Sequence, residues 1–145
     1  MEGHDGCVNA LGWSTNGRLI CSGSDDTNIC LHSPFSAGKK PVAVLETDHL
    51  QNIFQSKFVP FTNDRMIVSA SRDGLVSLSQ VDETGALVRF DDDKCGNSII
   101  QHSRACHKLC FVHGTQGIRS KSCIVGKIYS FLCSQYNFNV RSIVN

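Results

Sequence analysis

The chain has 145 residues, 41% of them hydrophobic and 19% charged, and a formal net charge of +1. This composition excludes an intrinsically disordered polymer and is large enough for one sizeable core. The charge is unevenly placed: residues 1–93 hold all 13 acidic side chains with seven basic ones, a net of −6, whereas residues 94–145 hold seven basic and no acidic ones.

In chain order, Gly3-His4 precedes an alternating segment from Val8 to Trp13, which ends at a Ser-Thr-Asn-Gly turn. Leu19 to Ser24 reads as a short buried strand, rich in small residues where another strand must approach closely. Asp25-Asp26-Thr27-Asn28 predicts a hairpin turn, because short polar side chains accept local backbone bonds and tolerate tight φ values. Asn28 to His32 follows as a third strand and Pro41 to Leu45 as a fourth, with the proline marking an outer edge. Four short strands separated by turn signals predict an all-β architecture.

A second, imperfect copy then begins. Asp48-His49 leads into Ile53 to Val59, a Thr62-Asn63-Asp64 turn, Met66 to Ser71, an Arg72-Asp73-Gly74 turn and Leu75 to Val81. His4 and His49 are 45 residues apart, and Asp26 and Asp73 are 47 apart. Four-stranded units at this period indicate propeller blades. The expected units are residues 1–47 and 48–101 as blades, 102–113 as the first strand of an incomplete third, and 114–145 as an unassigned tail.

These residues resemble the WD-repeat β-propeller family: Gly3-His4, Ser22-Gly23-Ser24, Asp26, and a strand ending where the Trp-Asp dipeptide would stand. The dipeptide positions are His32-Ser33 and Ser79-Gln80 instead. Longer strings, Gly3 to Ala10, Asn52 to Asp64 and Arg72-Asp73-Gly74, are most similar to the cullin-4-associated WD-repeat factors of the factor-8 type and their plant relatives, over about residues 3–110. The resemblance implies a hydrogen-bonded ladder of His4, Ser22 and Asp26 in one blade and His49, Ser69 and Asp73 in the next. It implies a protein-interaction scaffold, a substrate receptor docking on the adaptor of a cullin-4 RING ubiquitin ligase. The docking signature Trp-Asp-x-Arg is replaced by His32-Ser33-Pro34-Phe35 and Ser79-Gln80-Val81-Asp82. With two blades and part of a third, the expected architecture is a partial, unclosed propeller with an unrelated C-terminal tail. The alternatives are a non-functional or interfering truncated product, or a zinc- or thiol-dependent protein using the Cys/His-rich C-terminal part.

Catalysis is not expected. His, Ser and Asp could form a hydrolase triad, but the trio recurs at the blade period, as a structural network does, and no nucleophile-elbow motif is present. His102, Cys106, Cys110 and His113 are candidate zinc ligands by type, yet they lack paired Cys-x-x-Cys knuckles. Cysteine as a small core residue is the commoner outcome, so neither metal nor other cofactor is expected. The scattered basic residues beyond Asp93 form a weak footprint, so nucleic acid is not an expected partner. Neither a secretory leader nor a membrane-spanning stretch is legible, since the start is acidic and Ile124 to Cys133 is short and interrupted by Lys127. Eight cysteines in that setting fit free thiols in the nucleus and/or cytoplasm.

Overall fold

A computed structural model of the protein describes residues 2–82, 87–88, 98–101, 103–111 and 118–120. Its described elements are all strands, as expected. The first sheet is a four-stranded antiparallel meander of β1 (Val8–Trp13), β2 (Ile20–Ser24), β3 (Asn28–His32) and β4 (Ala43–Glu46). The second is built from β5 (Ile53–Phe58), β6 (Met66–Ser71) and β7 (Leu75–Val81) in the same order. Its fourth place is divided between two short strands. β8 (Leu87–Val88) pairs with Gln80 and Val81, whereas β9 (Ser98–Gln101) pairs with Leu75 to Ser77. A further hairpin joins β10 (Leu109–Phe111) to β11 (Ile118–Ser120). Thus a strand lies at Ile118–Ser120, within the stretch that the sequence leaves unassigned. The sheets are unclosed, as in a partial WD-repeat propeller.

Register sets which residues share a face, because directly paired residues point the same way. In blade one, Gly12 pairs with Cys21, Cys21 with Leu31, and Ile29 with Leu45. This face, called distal here, carries Cys21, Ile29, Leu31 and Leu45 into a core shared with Ile53, Phe58, Ile67 and Val81 of blade two. On blade two those four side chains belong to the opposite, proximal face. Blade two therefore lays its proximal face on the distal face of blade one.

Small residues make that joint possible. A Cβ at Gly12 would lie 2.7 Å from the Ser56 carbonyl oxygen, and one at Gly23 would lie 2.6 Å from Ile53 Cγ2. Neither distance can hold a methyl group without displacing strand β5. Close approach buries Ile53 and Phe58 at the joint, as dense core packing favours.

The two inner hairpins end differently. The turn after β1 is closed by Ser14 and Leu19 and uses Gly17 at φ +71°. Its counterpart after β5, closed by Val59 and Met66, is two residues longer and holds Phe61, Asn63 and Asp64 at φ +64°, +52° and +59°. The turns between the second and third strands invert this contrast. Blade two has Gly74 at φ +83°, whereas blade one places Thr27, a β-branched residue, at φ +66°.

Candidate functional site: two hydrogen-bonded ladders

Each ladder begins on the loop entering a blade and ends on its central strands. His4 stands on the loop before β1. Because the Asp26 carboxylate can only accept, His4 Nδ1 carries the proton and donates to Asp26 Oδ2 at 2.8 Å. In the neutral ring Nε2 then accepts from Ser22 Oγ at 2.9 Å. The single Ser22 hydroxyl proton is shared with the Cys30 carbonyl oxygen at 3.3 Å. The ladder thus ends on the backbone of β3 instead of on a tryptophan. Asp26 also accepts from the amides of Asp5 and Asn28, both at 2.9 Å. Partial burial pushes its carboxyl up, but the Asn28 amide, the His4 ring and the Asp5 amide outweigh that and hold it below the usual carboxylate range.

Blade two repeats the set with one looser joint. His49 Nε2 meets Ser69 Oγ at 2.8 Å. Its Nδ1 lies 3.6 Å from Asp73 Oδ2, within ion-pair range but too long for a hydrogen bond, and this buried atom has no other partner. Asp73 accepts instead from the amides of Leu50 at 2.8 Å and Leu75 at 2.7 Å. Burial pushes Asp73 up, and those amides with His49 bring it below its ordinary value. Burial lowers the His49 pKa against the opposing pull of Asp73. The structure places every member of both expected ladders side by side, with the His49–Asp73 pair at 3.6 Å.

The order serine–histidine–aspartate matches that of a hydrolase triad, but the arrangement cannot do that chemistry. Ser22 is 3% exposed and Ser69 0%, so no substrate carbonyl reaches either oxygen. The Cys30 thiol, 3.7 Å from His4 Nδ1, is no better a nucleophile. Burial and then the Asp26 charge push it up to about 11, leaving little thiolate. What the ladder does is tie the entry loop to the turn of the same blade.

Of the zinc candidates, Cys106 is a buried thiol, while His102, His113 and the Cys110 side chain lie outside the described residues. Among the described residues no cluster of three or more His, Cys, Asp or Glu side chains could hold a metal ion. At the Trp-Asp positions, His32 and Ser79 are buried. Burial lowers the His32 pKa, with a smaller contribution from His4.

Sequence reasoning missed the residues that join the blades. Asp64, on the blade-two turn, accepts from the amides of Thr15 at 2.6 Å and Asn16 at 3.2 Å on the blade-one turn. Asp25 Oδ1 accepts from the carboxamides of Asn9 and Asn52, each at 2.6 Å, so one carboxylate holds side chains from both blades. The signal for Asp64 was present: a carboxylate stands where the first copy has Gly17. At the next joint the means differ. The Cys106 amide donates to the Ser71 carbonyl at 3.0 Å, and His107 stacks on Phe54 with ring centroids 4.6 Å apart.

Residues 1–33, which contain the first ladder, match the family described as WD domain, G-beta repeat. Residues 1–33 carry a WD repeat. Proteins built on such repeats are generally non-enzymatic interaction scaffolds, in keeping with the buried serines. Among curated relatives, the WD repeat protein iqw1 of Schizosaccharomyces pombe is 46% identical over 84 residues, covering 58% of this chain and 10% of that protein. The human DDB1- and CUL4-associated factor 6 is 44% identical over 80 residues, covering 55% of this chain and 9% of its own length. Protein ALTERED SEED GERMINATION 2 of Arabidopsis thaliana is 37% identical over 119 residues, or 81% of this chain and 16% of that protein. The chain therefore spans between 9% and 16% of these relatives' lengths.

Proposed function

We propose that this WD-repeat scaffold contributes to substrate reception by a cullin-4 RING ubiquitin ligase, binding its adaptor or a protein substrate in the nucleus or cytoplasm. The observation that carries this reading is the pair of ladder-pinned blades, sharing one core, in a stretch similar to a DDB1- and CUL4-associated factor. Rigid blades present their connecting loops as a fixed surface, which is how a propeller without a reaction centre recognises other proteins. The likeness to the factor-8 type, and the partners it implies, belong to the same proposal.

The positions of the missing docking signature give this reading a specific form. His32 is buried and Phe35 is 81% exposed, so an adaptor meeting this end of β3 would find an aromatic ring in place of an arginine. The test is titration of the purified 145-residue chain with the purified adaptor by calorimetry. Saturable binding in the micromolar range, weakened by Phe35→Ala, supports the proposal. No binding up to about 0.1 mM would remove the adaptor from it.

A further inference from the structure

The connection from β3 to β4 is the longest in blade one, and it opens on a hydroxyl followed by proline. Ser33 is half-buried at the end of β3, and every residue from Pro34 to Lys40 is exposed. Of the three prolines in the chain, only Pro34 follows a serine or threonine. The strand serines of both blades, from Ser22 to Ser79, are buried. Inside the connection the Ser36 amide donates to the Ser33 carbonyl at 3.2 Å, and the Gly38 amide donates to Ser36 Oγ at 3.4 Å. Both bonds are at the long end of the range. Among the described residues, its ties to the rest of the blade come further along, from the Glu2 amide to the Lys39 carbonyl and from the Val42 amide to the Leu31 carbonyl. Ser33 to Gly38 can therefore straighten at the cost of two weak local bonds, whereas a strand serine would have to break its sheet. The surroundings suit an anion. Arg18 stands two residues before Ile20, and Ile20 pairs with His32, the residue before Ser33. This pairing sets Arg18 and Ser33 at one end of the blade, with Lys39 and Lys40 on the connection itself. All three cations are exposed, and the connection carries no carboxylate.

We propose that Ser33 is a phosphorylation site, the acceptor for a proline-directed protein kinase, and that Arg18 holds the phosphate. Ser33 Oγ attacks the γ-phosphorus of a nucleoside triphosphate. The new O–P bond forms as the bond from that phosphorus to the oxygen of the departing nucleoside diphosphate breaks, and the hydroxyl proton passes to the kinase's catalytic carboxylate. Selection by proline has a physical basis. Pro34 has no amide N–H, so a kinase pocket that leaves this group without a partner accepts proline and disfavours other residues. The product carries a charge of about −1.5 to −2 at pH 7 and three acceptor oxygens, which suit the planar fork of an arginine. Negative charge then stands two residues from the exposed ring of Phe35. The site rests on the geometry of this connection and is independent of adaptor docking.

The test incubates the 145-residue chain with magnesium ATP and, in turn, a mitogen-activated and a cyclin-dependent protein kinase. Tandem mass spectrometry locates the phosphate, and circular dichroism before and after checks that the β structure persists. Phosphate at Ser33 is expected with at least one of the two kinases. It should be missing from Ser33→Ala and form at least about tenfold more slowly in Pro34→Ala. In phosphorus NMR of the product, the second pKa of the phosphate, ordinarily about 6, should lie lower in the parent chain than in Arg18→Ala, because the guanidinium favours the dianion. No phosphate at Ser33 with either kinase, in a chain that keeps its β structure, would overturn the proposal. A rate indifferent to Pro34→Ala would overturn it equally. Equal phosphate pKa values in the parent and in Arg18→Ala would overturn the part assigned to Arg18.

Discussion

Blade one and blade two are built to one plan and stabilised by different means. Blade one closes its ladder at 2.8 Å but holds a threonine in a left-handed turn; blade two has glycine in that turn but leaves its histidine 3.6 Å from the carboxylate. Each blade is locally optimal where the other is not. The two copies thus reach one plan with different local fits at the ladder and at the turn. What the blades share without variation is the joint between them, and that is where the largest effects are expected.

Gly12→Val tests the joint directly. Its Cβ would strike the Ser56 carbonyl, a backbone atom that cannot swing aside. A loss of about 3 kcal/mol is expected in urea denaturation, at the upper end of overpacking costs. A loss below about 1 kcal/mol would mean that the blades separate more easily than their contacts suggest.

Asp64→Ala comes next. It removes two amide-to-carboxylate bonds between the blade turns and leaves the Thr15 and Asn16 amides without that partner. A loss of about 2 kcal/mol is expected from the same measurement. Asp64→Gly relieves the positive φ without restoring the bonds, so it should recover only a part.

The ladders can be compared by paired substitutions. Asp26→Asn should cost about 1 kcal/mol more than Asp73→Asn, because only Asp26 is hydrogen-bonded to its histidine. Equal costs would show that His49 closes onto Asp73 in solution. At the turns, Thr27→Gly should gain about 0.5–1 kcal/mol and Gly74→Thr should lose at least as much, since only glycine adopts positive φ without strain. Midpoint shifts in urea decide both.

Acidification should act in two stages. His49 and His32 titrate below their ordinary 6.5 when folded. The unfolded chain therefore takes up protons first, and the stability they contribute is present above about pH 6.5 and lost as pH falls below it. Asp26 and Asp73 lie below 3.8 when folded, so their contribution persists above about that pH and is lost beneath it. Melting temperature should fall gently below pH 6.5 and more steeply below pH 4, and His49→Gln should flatten the upper stage. A flat profile between pH 7 and 5 would contradict the direction given for both histidines.

The strands and the ladders were legible in the sequence because both are local or periodic. Alternating apolar residues between Asn-Gly, Asp-Asp and Asp-Gly turns mark strands by sterics alone; His4 and His49 recur 45 residues apart and Asp26 and Asp73 47 apart, and the serine completing each set is what the resemblance to WD repeats implies. The same reading left residues 114–145 without structure, although Ile118–Ser120 pairs with Leu109–Phe111. That segment repeats no motif, and pairing through backbone groups needs none.

By itself the sequence determined an all-β chain and two copies in one plan, and its resemblance to WD repeats implied the six ladder residues and the replaced Trp-Asp dipeptide. Only the tertiary structure decided how the blades meet. It made Gly12 and Gly23 points of closest approach, turned Asp64 and Asp25 into links between blades, and buried Phe58 while leaving Trp13 exposed. The physical reason is that a strand's alternation says that it has two faces, whereas what lies against each face depends on a neighbour distant in the chain.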